Sequence, residues 1–128
     1  MSGNDHRPRV LIVDDEPIIA DTLAKILEHE GYSALAAHDG KSALEYAKIS
    51  TPQLVIADVM LSGMNGVDIG VAIRNLFPDC KIILISGQAT SDALIGAAMS
   101  EGDHFVFLEK PVHPSVLLKH VAELLNQT

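Results

Sequence analysis

Two kinds of segment alternate along this chain, and the alternation constrains its fold more than any other feature. Short runs of β-branched and apolar residues are followed by longer stretches whose apolar residues recur every three or four positions. The first pattern predicts buried strands and the second predicts amphipathic helices. The predicted strands cover residues 9–13, 33–37, 54–57, 81–85 and 104–108, and the predicted helices cover residues 17–30, 41–48, 65–76, 91–100 and 114–126.

Several predicted strands lack the polar alternation of a half-exposed strand, which indicates that both faces of the sheet are covered. Five successive strand and helix units, joined by right-handed crossovers, form an open parallel sheet with helices on both faces. The pattern therefore predicts an α/β fold with a doubly wound, five-stranded parallel sheet.

Length and charge narrow the class of protein. The chain has 128 residues, an apolar fraction of 48% and a formal net charge of −8. We expect a single domain over residues 1–128, with a flexible tail at residues 1–8 and no output domain. The acidic balance argues against direct nucleic-acid binding, and no apolar run reaches the ~20 residues of a membrane span. With no secretory signal and one cysteine, Cys80, the chain is expected in the cytoplasm.

Polar residues stand at the carboxyl ends of four predicted strands. Asp14 and Asp15 follow the first strand, and Asp58 follows the third. Ligands of doubly wound sheets bind outside these strand ends, so the three carboxylates are expected to gather if the two strands are neighbours. Clustered acids oppose folding unless a cation intervenes, and Mg²⁺ prefers such oxygen ligands. Ser86 and Lys110 follow the last two strands and add donors suited to phosphoryl oxygens.

Four motifs carry a family resemblance: VDDEP after the first strand, ADVMLSGMNG around Asp58, ISGQA after the fourth strand and EKP after the fifth. In this order they resemble the response-regulator receiver domains of two-component signalling, over nearly the whole chain. The resemblance implies the flavodoxin-like (βα)5 fold with strand order 2-1-3-4-5. One departure is Ser62, four residues after Asp58, where the family commonly has a proline.

The resemblance also implies a role for each site residue. Asp58 is expected to be the phosphoacceptor, taking its phosphoryl group from a phosphohistidine on a sensor histidine kinase or phosphotransfer protein. Self-phosphorylation and slow self-dephosphorylation, both dependent on Mg²⁺, are the only activities expected, so the chain is not predicted to be an enzyme. The expected Mg²⁺ ligands are Asp15, Asp58 and the Met60 backbone carbonyl, with Asp14 acting through water, and the expected phosphoryl-binding residues are Ser86 and Lys110.

In this family the strand-4 hydroxyl moves toward the phosphoryl group, and an aromatic residue on the fifth strand shifts from an exposed to an inward position. Here these are Ser86 and Phe107, with Phe105 as the alternative aromatic. The small, apolar segment at residues 91–102 predicts an interaction surface, because exposed apolar patches usually bind partners. Together with the fifth strand and the last helix, it is expected to contact an unknown protein target or a second copy of the chain.

Two other functions remain open from the residues. A docking module that works without phosphorylation is one, although such modules usually lack an acid or the lysine that this chain retains. An aspartyl-phosphate hydrolase is the other, but these enzymes carry a second acid two residues after the nucleophile, where this chain has Met60.

Overall fold

The computed structural model describes residues 7–61, 63–87, 96 and 105–126. Five strands form one sheet in the order β2-β1-β3-β4-β5, and all four neighbouring pairs are parallel. The predicted fold class and strand order are confirmed. The strands are β1 (Arg9–Val13), β2 (Ser33–Ala37), β3 (Leu54–Asp58), β4 (Lys81–Ser86) and β5 (Val106–Glu109), and the helices are α1 (Pro17–His29), α2 (Gly40–Ser50), α3 (Gly66–Leu76) and α4 (Pro114–Leu125).

The first four strands lie within one residue of their predicted bounds, but the fifth prediction was wrong at its start. We predicted residues 104–108, whereas β5 begins at Val106 and ends at Glu109. Pairing with β4 sets these bounds, because the register runs from Ile83 opposite Val106 to Ser86 opposite Glu109. Phe105 therefore precedes the strand, although it belongs to the same apolar run.

The helix ends follow local chemistry. Asp39 caps α2 by accepting a hydrogen bond from the Ser42 N–H at 2.7 Å. Asn65 caps α3 by accepting a hydrogen bond from the Asp68 N–H at 2.8 Å. Gly31, with φ of +98°, takes the left-handed conformation just after α1. Of the predicted helix at residues 91–100, only Gly96 is described, and it is helical. The remainder of that helix, together with Ser62, lies outside the described residues.

Two apolar layers cover the sheet, one on each face. The first packs α2 and α3 against the sheet, and the second packs α1 and α4. This arrangement explains why the strands lack polar alternation. The fully buried side chains of these layers include Leu11, Val55, Ile69, Ile73, Ile82 and Leu84 on one face and Ile12, Leu27, Leu54, Ile56 and Ile83 on the other.

The inward face of α1 differs from the predicted one. The spacing of its apolar residues predicts a face made of Ile19, Leu23, Ile26 and Leu27, but Ile19 is 37% exposed while Ala20 is fully buried. The helix is therefore rotated so that a small residue meets the sheet. Cys80 lies in the loop between α3 and β4, directly before β4, and its side chain is buried in the core. Burial raises the pKa of its thiol to about 12, which keeps the group in the protonated, weakly nucleophilic form at neutral pH.

Residues at the start of the described chain are bonded to the sheet edge. The Pro8 carbonyl accepts a hydrogen bond from the Ser33 N–H at 2.8 Å, and Arg7 pairs with Glu28 at 3.1 Å. Glu28 also accepts from the Ala34 N–H at 2.7 Å. Arg7 and Pro8, which we expected in a flexible tail, are thus bonded to α1 and β2, and Glu28 of α1 covers part of the edge strand β2. No helix in the described part of the chain is long and apolar enough to cross a membrane.

Truncation of Leu27 to alanine is expected to lower the free energy of unfolding by about 2–5 kcal/mol, because the side chain is buried between α1 and the sheet. Ile18→Ala is the matched control on the same helix. Ile18 is 81% exposed, so its truncation should change stability by no more than about 0.5 kcal/mol. Urea unfolding of the two variants measures both effects, and equal losses would contradict the packing described for α1.

Candidate functional site

The site forms at the carboxyl ends of the parallel strands. Because β1 and β3 are neighbours and Val13 lies opposite Ala57, Asp14 and Asp58 come next to each other in the register. The Asp14 N–H donates to the Ala37 carbonyl at 3.1 Å, and the Val59 N–H donates to the Ile85 carbonyl at 2.9 Å. Backbone bonds to β2 and β4 thus fix the chain immediately after each of these two strands. The sequence prediction that the acids of these strands meet at one edge holds for Asp14 and Asp58.

Asp58 is only 6% exposed, and both of its carboxylate oxygens have partners. Oδ1 accepts a hydrogen bond from the Met60 N–H at 3.0 Å, and Oδ2 lies 2.6 Å from the Lys110 ammonium. The hydrogen bond to Asp58 raises the pKa of Lys110, with further contributions from the charges of Asp14 and Glu16. Lys110 is therefore a firmly protonated partner for a buried carboxylate.

Asp14 is 5% exposed and has a less favourable environment. Its Oδ1 accepts a hydrogen bond from the Glu16 N–H at 2.9 Å. Burial raises the pKa of its carboxyl group, and the negative charges of Asp58 and Asp15 raise it further, while the Glu16 N–H and Lys110 oppose the shift. The net effect is a raised pKa, so ionisation of Asp14 destabilises the folded protein.

The end of β4 joins this group through the backbone. Ser86 is 4% exposed, and its carbonyl accepts a hydrogen bond from the Lys110 N–H at 2.8 Å. Lys110 thus contacts β3 with its side chain and β4 with its backbone. Phe107, opposite Leu84 in the register, is half-buried against the layer of α2 and α3, as is Phe105. Both candidate switch aromatics therefore face the same side of the sheet.

The predicted metal ligands are present, but they do not form a closed group. No three side chains of His, Cys, Asp or Glu come together as a metal-binding group among the residues that the structure describes. The expected gathering of Asp14, Asp15 and Asp58 into such a group is therefore not seen. In this structure the two oxygens of Asp58 are bonded to Lys110 and to the Met60 N–H.

These residues nevertheless fit Mg²⁺ by their chemistry. The ion commonly binds through one or two carboxylates, with waters completing its shell, so three convergent side chains are not required. Burial and neighbouring negative charge already disfavour ionised Asp14, and a cation would relieve that cost. The assignment of Asp14, Asp15, Asp58 and the Met60 carbonyl as ligands stays a prediction.

Sequence reasoning missed two features of the site. One is a cavity of about 550 Å³ beside Asp14 and Lys110, whose walls include Ile19, Leu23 and Leu117. Ile19 was the available signal in the sequence, but helical spacing places it on the same face as Leu23 and does not indicate a cavity. The other is Gly66, the first residue of α3, which is buried directly against the backbone of Asp58. Its presence in the motif ADVMLSGMNG was the only signal in the sequence.

Comparisons with known proteins agree with this geometry. Residues 10–122 match the family described as the response regulator receiver domain. The probable transcriptional regulatory protein TcrX of Mycobacterium tuberculosis is 32% identical over 119 residues, which cover 93% of this chain and 50% of the relative. The nitrogen assimilation regulatory protein NtrX of Azorhizobium caulinodans is 36% identical over 111 residues, covering 85% of this chain and 24% of the relative. The chain thus spans half or less of these two relatives.

Solved structures give the same result. A CheY-like response regulator receiver domain protein from Methanospirillum hungatei JF-1 superimposes with a TM-score of 0.86 at 30% identity, covering 94% of each chain. The chemotaxis protein CheY4 of Vibrio cholerae superimposes with a TM-score of 0.81 at 28% identity, covering 92% of this chain and 98% of that protein.

Replacing Asp14 by asparagine is expected to raise the melting temperature at neutral pH in the presence of EDTA. The pKa of Asp14 is raised in the folded protein, so the folded state binds this proton more tightly than the unfolded state. Its ionisation therefore costs stability, increasingly as the pH rises from the ordinary value of 3.8 through the raised pKa. The advantage of Asp14→Asn should shrink toward zero below that range. Thermal melts across pH 3 to 8 measure it.

Asp39→Asn is the control, because the pKa of Asp39 is shifted in the opposite direction to that of Asp14. The Ser42 N–H lowers the pKa of Asp39, so its carboxylate stabilises the fold above pH 3.8 and loses this contribution as the pH falls through the lowered pKa. The Asp39 variant should therefore be slightly less stable than the parent at neutral pH. A neutral-pH melting temperature of Asp14→Asn at or below that of the parent would contradict the cost assigned to Asp14.

Proposed function

The chain belongs to the response regulator receiver domain family, and on that premise we propose that Asp58 accepts a phosphoryl group from a phosphohistidine of a partner kinase or phosphotransfer protein. The observation that carries this proposal is the 2.6 Å contact between the buried Asp58 carboxylate and the Lys110 ammonium. This contact supports the proposal because a carboxylate and a cation lie side by side at the edge of the sheet where doubly wound folds bind ligands.

The transfer breaks the P–N bond of the donor and forms a P–O bond to an Asp58 oxygen, while the imidazole leaves with the electron pair. Phosphoryl transfer depends mainly on positioning and on neutralising the charge of the moving group. The Met60 N–H orients the carboxylate through Oδ1. Lys110 exchanges its contact with Oδ2 for a contact with a phosphoryl oxygen, and its raised pKa keeps it charged throughout.

Mg²⁺ is the cofactor that this proposal includes. When bound, it neutralises charge on the transferred group and on the carboxylates around it. Asp15, Asp58 and the Met60 carbonyl would hold it directly, and Asp14 would hold it through water. The raised pKa of Asp14 supports this assignment, because the fold keeps an ionisable oxygen donor where ionisation is unfavourable.

The switch is proposed to run from Asp58 to Ser86 and then to Phe107. A phosphoryl group on Asp58 offers acceptor oxygens to the Ser86 hydroxyl, and Phe107 on the adjacent strand moves inward. Phe107 is favoured over Phe105 because it pairs inside β5, whereas Phe105 lies before the strand and borders Gly70 of α3. Phe105 is thereby assigned a packing role.

Receiver domains are signalling modules rather than enzymes, and sensor kinases are the partners of response regulators. For this chain we propose a protein target bound by β5, α4 and the segment at residues 91–102, most of which lies outside the described residues. A second copy of the chain is one such target. The cytoplasm is the compartment in which we expect it to act. The hydrolase alternative lacks support, because the half-exposed Met60 side chain offers no acid beside Asp58.

Incubation with acetyl phosphate and Mg²⁺ is expected to add one phosphoryl group, detectable by intact mass, and the addition should disappear with EDTA or in Asp58→Ala. Lys110→Ala should slow phosphorylation by about 100-fold, since it removes the cation aimed at the developing charge. Asp21→Asn, an exposed acid on α1, is the control and should retain the parent rate. An unchanged adduct in Asp58→Ala would refute the assignment of the phosphoacceptor.

Met60→Asn is expected to shorten the lifetime of phosphorylated Asp58. Hydrolysis needs a water opposite the leaving carboxylate, and the side chain two residues after Asp58 flanks that approach. A thioether cannot orient a water, whereas an amide can. Gln88→Ala, at a position outside the described residues, should instead make hydrolysis slower than in the parent, because it removes an amide that could bind the water. Dephosphorylation time courses for the parent and the two variants test this, and a Met60→Asn rate at or below the parent rate would show that water access is controlled elsewhere.

A further inference from the structure

We infer that Gly66, the first residue of α3, is a positioning residue for the phosphoacceptor, because its missing side chain lets the helix begin directly against the backbone of Asp58. The inference rests on the proposed function of Asp58. It concerns the backbone of Asp58 rather than its carboxylate.

The approach of Gly66 to β3 is closer than a side chain would permit. A Cβ atom built on Gly66 overlaps the carbonyl oxygen of Asp58, lies 2.9 Å from the Asp58 carbonyl carbon and lies 3.0 Å from the Val59 Cα. All three atoms belong to backbone at the end of a central strand, where they cannot rotate away. A side chain at position 66 therefore has to displace either α3 or the end of β3.

Nothing else about position 66 requires glycine. Gly66 is not among the glycines with positive φ, which in the described chain are Gly31 and Gly63. Alanine also has the higher helix propensity, so local backbone preference favours substitution. The collision with Asp58 is thus the specific reason for glycine here, which separates position 66 from turn positions where glycine supplies an unusual backbone conformation.

Contacts on both sides of Asp58 depend on this close approach. The Gly66 N–H donates to the Val59 carbonyl at 2.8 Å, and the Met60 N–H donates to Asp58 Oδ1 at 3.0 Å. Val59 and Met60 form the turn that connects the two bonds. Displacing α3 would pull on the Val59 carbonyl, shift the Met60 N–H and rotate the Asp58 carboxylate away from its bond with Lys110. Gly66 thereby acts on the nucleophile through the turn.

Gly70→Ala is the matched control for Gly66→Ala. Gly70 lies one turn further along the same helix, and its Cβ would come within 3.2 Å of Ile82 Cγ2 and 3.4 Å of Phe105 Cζ. These neighbours are side chains away from Asp58, so Gly70→Ala tests crowding under α3 without moving the site. Urea unfolding gives the folded fraction of each variant, and phosphorylation by acetyl phosphate with Mg²⁺ is expressed per folded molecule.

Gly66→Ala is expected to be phosphorylated at least about ten-fold more slowly per folded molecule, because a displacement of the nucleophile by about 1 Å can cost 100-fold. Gly70→Ala should stay within about two-fold of the parent. In the unphosphorylated protein, the Met60 amide should exchange with solvent faster in Gly66→Ala and at the parent rate in Gly70→Ala. Equal rates of phosphorylation per folded molecule in the two variants would overturn the inference.

A second pair covers the case in which Gly66→Ala does not fold. Asn65→Ala removes the cap of α3, and Asp39→Ala removes the corresponding cap of α2, a helix that is likewise 11 residues long. Both should lower the melting temperature, but only Asn65→Ala should slow phosphorylation and speed exchange of the Met60 amide. Parent rates in Asn65→Ala would refute positioning by α3. If the parent itself is not phosphorylated, the proposed function fails, and the Met60 exchange rates still decide the positioning of Asp58.

Discussion

The contact between Asp58 and Lys110 organises this structure. It joins residues 52 positions apart, and it does so across the end of β4, because β4 lies between β3 and β5 in the sheet. A buried carboxylate requires a compensating charge, and the chain as a whole carries a net charge of −8. The Lys110 ammonium reaches Asp58 because of the strand order and the register of β5. The bond from the Lys110 N–H to the Ser86 carbonyl also holds Lys110 in position.

Asp14 shows the other side of the same electrostatics. It is as buried as Asp58, but its Oδ1 accepts a hydrogen bond from the Glu16 N–H, whereas Asp58 is paired with an ammonium. The raised pKa of Asp14 means that its ionisation destabilises the folded state. Burial of the apolar layers on both faces of the sheet offsets this cost. Local unfavourable charge in an otherwise consistent fold is characteristic of functional sites.

Most of the fold could be predicted from the sequence, because hydrophobic period and strand-end residues are local signals. The strands from β1 to β4 and the meeting of Asp14 with Asp58 follow from such signals. The bounds of β5 could not, because the β4 register rather than the apolar run decides them. The rotation of α1, which brings Ala20 rather than Ile19 against the sheet, could not be predicted either. Helical periodicity alone does not distinguish adjacent positions at the border of an apolar face.

The sequence predicted which residues form the site better than it predicted how they contact one another. Strand ends identified Asp58, Ser86 and Lys110, but the sequence suggested Lys110 only as a donor to phosphoryl oxygens and did not indicate its direct contact with the Asp58 carboxylate. The reason is that the Lys110 ammonium, one residue beyond β5, can reach the β3 carboxylate only after the sheet has assembled. The close approach of Gly66 is likewise invisible in the sequence, because it depends on the distance between a helix and a strand backbone.

Asp58 is held in two different ways, and the difference has a mechanical consequence. Its side chain is bound by groups that can exchange partners, namely the Lys110 ammonium and the Met60 N–H. Its backbone is bounded by Gly66 on one side, and the following Val59 N–H is bonded to β4 on the other. A change of charge on Asp58 is therefore expected to act first on Lys110. Since the Lys110 N–H is bonded to the Ser86 carbonyl, the effect passes to the ends of β4 and β5, while the end of β3 stays in place.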